Sequence, residues 1–298
     1  MADALERLKP DLMVVLGDRY ELLAATAAAT AFRLPIAHLH GGESTEGLID
    51  EAVRHAVTKL SHLHLVAARP YAERLVRMGE ERWRVRIVGS PGLDHLARTE
   101  LPHARDALRH IGMPDDDRPL LVVTQHPITL HPGESRREAK ALARALGRID
   151  ARIVITAANA DQEHRQVFDA LRSLRNSRAT VRFVATLGTA TYWSLLREAD
   201  ALVGNSSSGL LEAPSFGTPV VNIGDRQRGR LRSANVIDVK PEAAAIERGI
   251  AKALTPTFRA SARQSRNPYG AAGASDRIVR ILTSIPIDRR LLQKKAPA

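Results

Sequence analysis

No cysteine occurs among the 298 residues, which excludes disulfides, zinc–thiolate sites and cysteine nucleophiles and is compatible with a reducing compartment. Aromatic residues make up only 4%, too few for a base-stacking platform on single-stranded nucleic acid. The charge-free, alanine-rich run from Leu22 to Phe32, between Glu21 and Arg33, is too short to span a bilayer. The N-terminus has no apolar signal-peptide core, so a cytoplasmic location without a membrane partner is expected. The HExxH, CxxC, GxSxG and Walker patterns are also missing. Since no helical histidine or carboxylate pair fixes a ligand geometry, neither a metal nor a cofactor is expected.

What the chain does have is a basic excess, a net charge of +11 carried mostly by arginine. Those arginines are interspersed with glutamate and aspartate along helical segments rather than gathered in blocks, which points away from nucleic acid. An anionic small ligand suffices to explain the charge.

Short β-rich runs alternate with helical stretches along the chain. Leu12–Leu16, Ile36–Leu39, Leu63–Ala67 and Val85–Val88 read as strands, separated by helices at Tyr20–Phe32, Ile49–Leu60 and Pro70–Met78. After a polar, proline-bounded interval, strands are expected at Leu120–Thr124, Arg152–Thr156, Val181–Val184, Ala201–Val203 and Pro219–Asn222. Helices at Ser135–Leu146, Gln162–Leu174 and Thr189–Ala199 lie between them, and two more follow at Ala243–Leu254 and Ala274–Ser284. The alternation predicts α/β architecture with parallel sheets in two doubly wound, Rossmann-like domains, residues 1–103 and 104–284, before a basic tail at 285–298 that packs only in part. Thr255–Pro268 reads as a polar loop of unassigned role. Ligands are expected where carboxyl ends of strands face a common cleft.

The most informative stretch is Val203–Val221: a strand end, then Gly204-Asn205-Ser206-Ser207-Ser208-Gly209, a helix start with Glu212, and a second strand. Small residues let backbone N–H groups approach an anion, the three serine hydroxyls add donors, and a helix start contributes its positive end. Glu212, about one turn on, is placed to accept hydrogen bonds from a ribose diol. The same residues would serve as a helix cap with a first-turn carboxylate.

Strand ends in the first domain carry many ionisable groups: Asp18-Arg19 after the first strand, His38 and His40-Gly41-Gly42-Glu43 around the second, then Asp50-Glu51, Arg54-His55 and His62 to His64. Carboxylates brought together with histidines suit removal of a proton from carbon and its return. Each also has a structural reading, as a cap, a dipole-favoured first-turn residue, an i,i+4 partner or a core histidine. In the second domain, His126 is placed either to protonate or hydrogen-bond a leaving phosphate or to serve as a capping or buried histidine, and Arg226 either to clamp a phosphate or to be solvated with its loop neighbours.

Gly17-Asp18-Arg19, His40-Gly41-Gly42-Glu43, Asp50-Glu51 with Arg54-His55-Ala56 and Thr58-Lys59, Gln125-His126-Pro127, Gly204 to Gly209 with Glu212, and Gly217-Thr218-Pro219-Val220 together resemble the hydrolysing UDP-N-acetylglucosamine 2-epimerases of bacterial sialic-acid and nonulosonic-acid synthesis. The resemblance runs from about Leu12 to Ile281. It implies a glycosyltransferase-B-like pair of Rossmann-like domains that binds a UDP-sugar, and a homodimer or dimer of dimers. Proton removal from C2 and loss of UDP would give 2-acetamidoglucal, and water would then add to yield N-acetylmannosamine. By matched position it implies Asp18, Glu43, Asp50 and His126 as catalytic residues, with either His40 or Glu43 in the role of a family glutamate. It implies Arg19, His40, Glu51, Arg54, Asn159, Ser206, Ser207, Ser208, Glu212 and Arg226 as substrate contacts. Family members usually begin with roughly 80 further residues that complete the opening βαβ of a Rossmann-like domain, so the first domain is expected to be truncated. Three alternatives to the UDP-N-acetylglucosamine enzyme remain: an epimerase of a modified UDP- or GDP-amino sugar, a glycosyltransferase of the same architecture, and a nucleotide-sugar-binding protein without turnover.

Overall fold

The structure is a computed structural model that describes residues 1–46, 48–128, 133–157, 163–172, 174 and 179–295. The chain forms two compact units: residues 1–45, 49–97 and 269–298 in the first, 46–48 and 98–268 in the second.

The first unit alternates α1 (Ala2–Leu8), β1 (Met13–Leu16), α2 (Glu21–Ala31), β2 (Ile36–Leu39), α3 (Asp50–Leu60), β3 (Leu63–Val66), α4 (Arg69–Arg77), β4 (Val85–Ile87) and α5 (Pro91–Arg98). Its four strands pair in parallel in the sequential order β1-β2-β3-β4. Side chains alternate across this sheet as the strand period requires. Ile36 packs with Val15, Val53 and Val57 on one face, while Ala37 and Leu39 pack with Leu63, Leu65 and Ile278 on the other. α1 was not expected from the sequence. α2 is apolar nearly all round yet buries only Thr26 and Ala29, leaving Leu23 and Phe32 exposed.

The second unit follows with α6 (Ala104–His110), β5 (Leu120–Thr124), α7 (Glu134–Gly147), β6 (Arg152–Thr156), α8 (His164–Arg172), β7 (Val181–Val184), α9 (Thr189–Glu198), β8 (Ala201–Gly204), α10 (Ser208–Leu211), α11 (Ala213–Phe216), β9 (Val220–Ile223), β10 (Val236–Val239), α12 (Ala243–Ala253) and α13 (Pro256–Arg263). Among the described residues its six strands are all parallel in the order β10-β9-β8-β5-β6-β7. This is the doubly wound order, and the direction of winding reverses between β5 and β8, which brings the carboxyl ends of those two strands together. Both faces are covered, so β5 is apolar without interruption. Leu121 and Val123 join Leu142, Ile246 and Ile250 in one core, and Leu120 and Val122 join Leu195, Leu196 and Ala213 in the other.

Besides α1, three segments depart from the sequence reading. β10 is an extra edge strand, half-exposed and so without a strong apolar signature. The expected loop at 255–268 contains α13, whose N-cap Thr255 accepts a hydrogen bond from the backbone N–H of Phe258 at 3.3 Å and is followed by proline in the first turn. The chain then returns to the first unit with α14 (Ala274–Ser284) and α15 (Arg289–Leu292), although the sequence boundary kept residues up to 284 in the second domain. Long-range polar contacts explain the return. Asp94 accepts from the backbone N–H groups of Gly273, Ala274 and Ser275 at the start of α14. The buried Arg84 donates to the carbonyls of Leu291 at 2.6 Å, Arg290 at 2.8 Å and Gln293 at 3.0 Å. Lys294 pairs with the buried Glu80 at 2.6 Å, so the basic tail is tied down at least to that residue.

Candidate active site

In the second unit, the reversal point places Thr124-Gln125-His126 after β5 beside Gly204-Asn205 after β8, with Thr124 and Gly204 in register. Gly204 has φ +135° and lies directly against the Thr124 carbonyl, a conformation and a closeness that only glycine tolerates. The next residue links the two strand ends. Asn205 Oδ1 accepts from the His126 N–H at 2.7 Å, and its Nδ2 donates to the His126 carbonyl at 2.9 Å. The Asn205 carbonyl in turn accepts from Arg226 Nη1 at 3.2 Å and Gln227 Nε2 at 2.9 Å. Asn205 and Gln227, which the sequence reading left out of the site, are thus its organising pair. The clue was Asn205's place at the strand end, but the residue it holds lies 79 positions away.

Ser206, Ser207 and Ser208 are each partly exposed at this turn. Ser206 Oγ accepts from the Ser208 N–H at 3.3 Å, and Ser208 Oγ lies 2.5 Å from the Tyr192 hydroxyl. Burial, aided by the nearby Glu212, pushes the Tyr192 phenol up to about 12, so it stays a proton donor at neutral pH. The single helix expected after the serines is instead two four-residue pieces, α10 and α11, meeting at Glu212. Pro214 explains the break, since it lacks the N–H that would continue the helix. Glu212 stands at the break, with its Oε2 buried and without a hydrogen-bond partner among the described residues. Burial raises its pKa to about 7, with its own backbone N–H and then Arg230 pulling the other way. A buried carboxylate oxygen without a donor has room for one from a ligand.

His126 and Arg226 are both buried. Burial, with help from Arg226, lowers the His126 pKa to about 3, so in the free protein its imidazole is neutral. Arg226 is anchored by its Nε to the Pro127 carbonyl at 3.2 Å, while the exposed Arg228 pairs with Glu46 at 3.1 Å. Asn159, expected as a contact here, lies outside the described residues.

In the first unit, Arg54 of α3 is the hub. Its side chain is fully buried and donates to Asp18 Oδ2 from both Nε (3.1 Å) and Nη2, to Glu51 Oε2 (2.5 Å), to Thr45 Oγ1 (2.7 Å) and to the Glu43 carbonyl (2.9 Å). The sequence reading expected Arg54 to contact substrate. Instead it is engaged within the unit, where it brings the ends of β1 and β2 and the start of α3 together. Glu51 has a similar inward role. Burial works against its charge, but the Thr45 N–H, Arg54 and Ser44 outweigh it and hold the carboxyl below its ordinary value. Asp18 keeps a side-chain exposure of 24%, whereas Arg19 points outward, 57% exposed and paired with Glu21. Asp50 sits in the first turn of α3, half-buried.

His40 and Glu43 form the second element of this unit. His40 has φ +64°, rare outside glycine, and its Nδ1 lies 2.6 Å from Glu43 Oε1. Gly42 makes the turn possible: its φ is +75°, and a Cβ there would fall 2.6 Å from the Tyr71 carbonyl. Glu43 is 3% exposed behind the ring and His40 18%, so the imidazole is the member that reaches solvent. A carboxylate that orients a more exposed imidazole is the arrangement of an acid–base pair.

Among the described residues, no helix is long and apolar enough to cross a membrane. Residues 1–283 match the family profile described as UDP-N-acetylglucosamine 2-epimerase. The chain is 40% identical over 240 residues to the GDP/UDP-N,N'-diacetylbacillosamine 2-epimerase (hydrolyzing) of Campylobacter jejuni, across 80% of this chain and 62% of that relative. It therefore spans less than two thirds of that protein's length. It is 35% identical over 293 residues to the UDP-N,N'-diacetylbacillosamine 2-epimerase (hydrolyzing) of Legionella pneumophila, covering 98% and 76% of the two chains. Its fold matches the crystal structure of UDP-GlcNAc 2-epimerase from Neisseria meningitidis bound to UDP-GlcNAc with a TM-score of 0.80, over 95% of this chain and 79% of that one, at 21% identity. That likeness places the chain in the expected α/β, glycosyltransferase-B-like fold class. The profile match across nearly the whole length, joined to these identities, means that the chain belongs to the UDP-N-acetylglucosamine 2-epimerase family.

Proposed function

We propose that the chain is a hydrolysing 2-epimerase of a UDP-linked 2-acetamido sugar. The observation that carries this reading is the unpartnered, buried Glu212 oxygen beside the Ser206–Ser208 turn at the winding reversal of the second unit. There Glu212 accepts hydrogen bonds from the ribose hydroxyls, the serine hydroxyls and backbone donate to the diphosphate, and Arg226 and His126 complement its charge. A diphosphate next to His126 favours the imidazolium, opposing the burial that keeps it neutral in the free protein.

The first unit supplies the proton chemistry. A base takes the C2 proton, the C2–H electron pair becomes the C1–C2 double bond, and UDP leaves with the pair of the broken C1–O bond. Water then adds, with hydroxyl at C1 and a proton at C2 on the opposite face. Asp18, Asp50 and the His40–Glu43 pair are the candidate acids and bases. Of the latter two, the more exposed His40 is the proton-transferring group and Glu43 the one that orients it, in keeping with their exposures. We propose also that two copies associate through α2, whose Leu23, Ala24, Ala27, Ala31 and Phe32 stay exposed.

For the sugar, the names of the relatives with 40% and 35% identity favour N,N'-diacetylbacillosamine over N-acetylglucosamine. Offered both UDP-sugars, the protein is expected to release UDP at least about tenfold faster from the diacetylated one, a difference of about 1.4 kcal/mol in transition-state binding. A coupled assay for UDP reads this directly. Equal rates would remove the preference, and release from neither sugar would remove the epimerase reading.

A further inference from the structure

Beside the cradle, in the second unit, lies a cavity of about 400 Å³ with a buried carboxyl on its wall that the chemistry above does not use. Glu138 projects from α7 and is only 3% exposed. Its Oε2 accepts from Gln125 Nε2 at 3.1 Å, and Gln125 immediately precedes His126. Its Oε1 lies against Gly224, where an added Cβ would fall 2.6 Å away, and Gly224 stands two residues before Arg226. One side chain therefore spans the exit turns of β5 and β9, each of which carries a group assigned above to the diphosphate.

We propose that Glu138 is a positioning residue of the nucleotide site, its buried carboxyl holding the exit turns of β5 and β9, and with them His126 and Arg226, at the spacing that a diphosphate requires. The inference rests on the reading of the cradle as a diphosphate site.

The charges around Glu138 indicate which protonation state accompanies the ligand. Glu134 and Arg137 face the cavity from its own helix, Asp225, Arg226 and Arg228 from the turn after β9, and Glu46 from the segment at 46–48. The neighbouring helices α8 and α12 contribute apolar residues to the core beneath it. Burial first, then Glu134 and Asp225, raise the Glu138 pKa to about 7, against Gln125 and Arg137. A bound diphosphate adds negative charge next to Arg226 and favours the neutral acid further. Binding therefore takes up a proton, and affinity falls as pH rises through the pKa of the free protein.

The test is UDP affinity by titration calorimetry for wild type, Glu138→Gln and Glu138→Ala. Glutamine keeps the span and is neutral at every pH, and UDP's own titration cancels in the ratio of affinities. Wild type and Glu138→Gln are expected to agree within about twofold near pH 5.5, with the glutamine variant at least about fivefold tighter near pH 8.5. Glu138→Ala, which loses the span, is expected to bind at least about tenfold more weakly at both. A wild-type to glutamine ratio independent of pH, or an alanine variant that binds like wild type, overturns the proposal alone. Failure of wild type to bind UDP at any pH overturns the cradle reading with it. Should the variants not fold, carbon-13 NMR of the Glu138 carboxyl in wild type, titrated across pH with and without UDP, serves instead. A titration moved to higher pH by UDP supports the proposal, and one that UDP leaves in place or moves down contradicts it.

Discussion

Replacing Arg54 with alanine is expected to unfold the first unit, not merely to weaken substrate binding. The guanidinium has no exposed surface and serves Asp18, Glu51, Thr45 and the Glu43 carbonyl together. Its removal leaves carboxylates uncompensated in a partly buried place and leaves the loop at 43–45 tied to α3 by Glu51 alone among the bonds described above. Breaking a buried pair in this way costs about 3 to 5 kcal/mol, comparable with the whole stability of many domains. Lysine is expected to recover only part of the loss, because the three donors of an ammonium, gathered on one nitrogen, cannot replace the five hydrogen bonds of the planar guanidinium. The contribution also has a pH signature. The Glu51 carboxyl is held below its ordinary value in the folded unit, so its stabilisation is present above the unfolded value and is lost on acidification through the folded one. Thermal unfolding of wild type, Arg54→Ala and Arg54→Lys reads the effect, and proteolysis locates it. An alanine variant that melts with the wild type would show that the network is dispensable.

The second large effect is expected at Gly204. A Cβ there would meet the Thr124 carbonyl carbon at 2.7 Å at a backbone φ of +135°, so Gly204→Ala must push β8 away from β5 at the winding reversal. Backbone contacts of this kind have no flexible side-chain end to yield. The strain, together with the loss of the paired Asn205–His126 bonds, is expected to exceed about 3 kcal/mol. In protein that still folds, UDP affinity should fall at least about a hundredfold, because the serine turn and His126 no longer hold their spacing. Unchanged UDP binding by Gly204→Ala would mean that the close packing of these strand ends is not what builds the cradle.

Local patterns made most of the fold legible. Both faces of the second sheet are covered, so its inner strands are short apolar runs that stand out between amphipathic helices. Where burial is partial the signal fades, which is why β10 was missed and α13 was read as loop despite Thr255-Pro256 at its start. The return of α14 and α15 to the first unit could not be read locally, since Asp94 and Arg84 act across about two hundred positions. The same limit governed the site. Strand-end position and small residues marked Ser206–Ser208, Glu212 and His126, but nothing near Arg54 in sequence reveals that it points inward. Glu138 lies in a helix with exposed Arg136, Arg137, Lys140 and Arg144, where a carboxylate reads as solvated until α7 is seen packed against Gln125 and Gly224.

The central claim is that proton chemistry at C2 accompanies release of UDP, and NMR in deuterated water tests it most directly. With UDP-N-acetylglucosamine and UDP-N,N'-diacetylbacillosamine as substrates, the account predicts UDP and a free sugar inverted at C2 that carries deuterium at that carbon. Tight binding of UDP with both nucleotide sugars recovered intact, and hydrogen retained at C2, would contradict it and leave a binding protein without turnover.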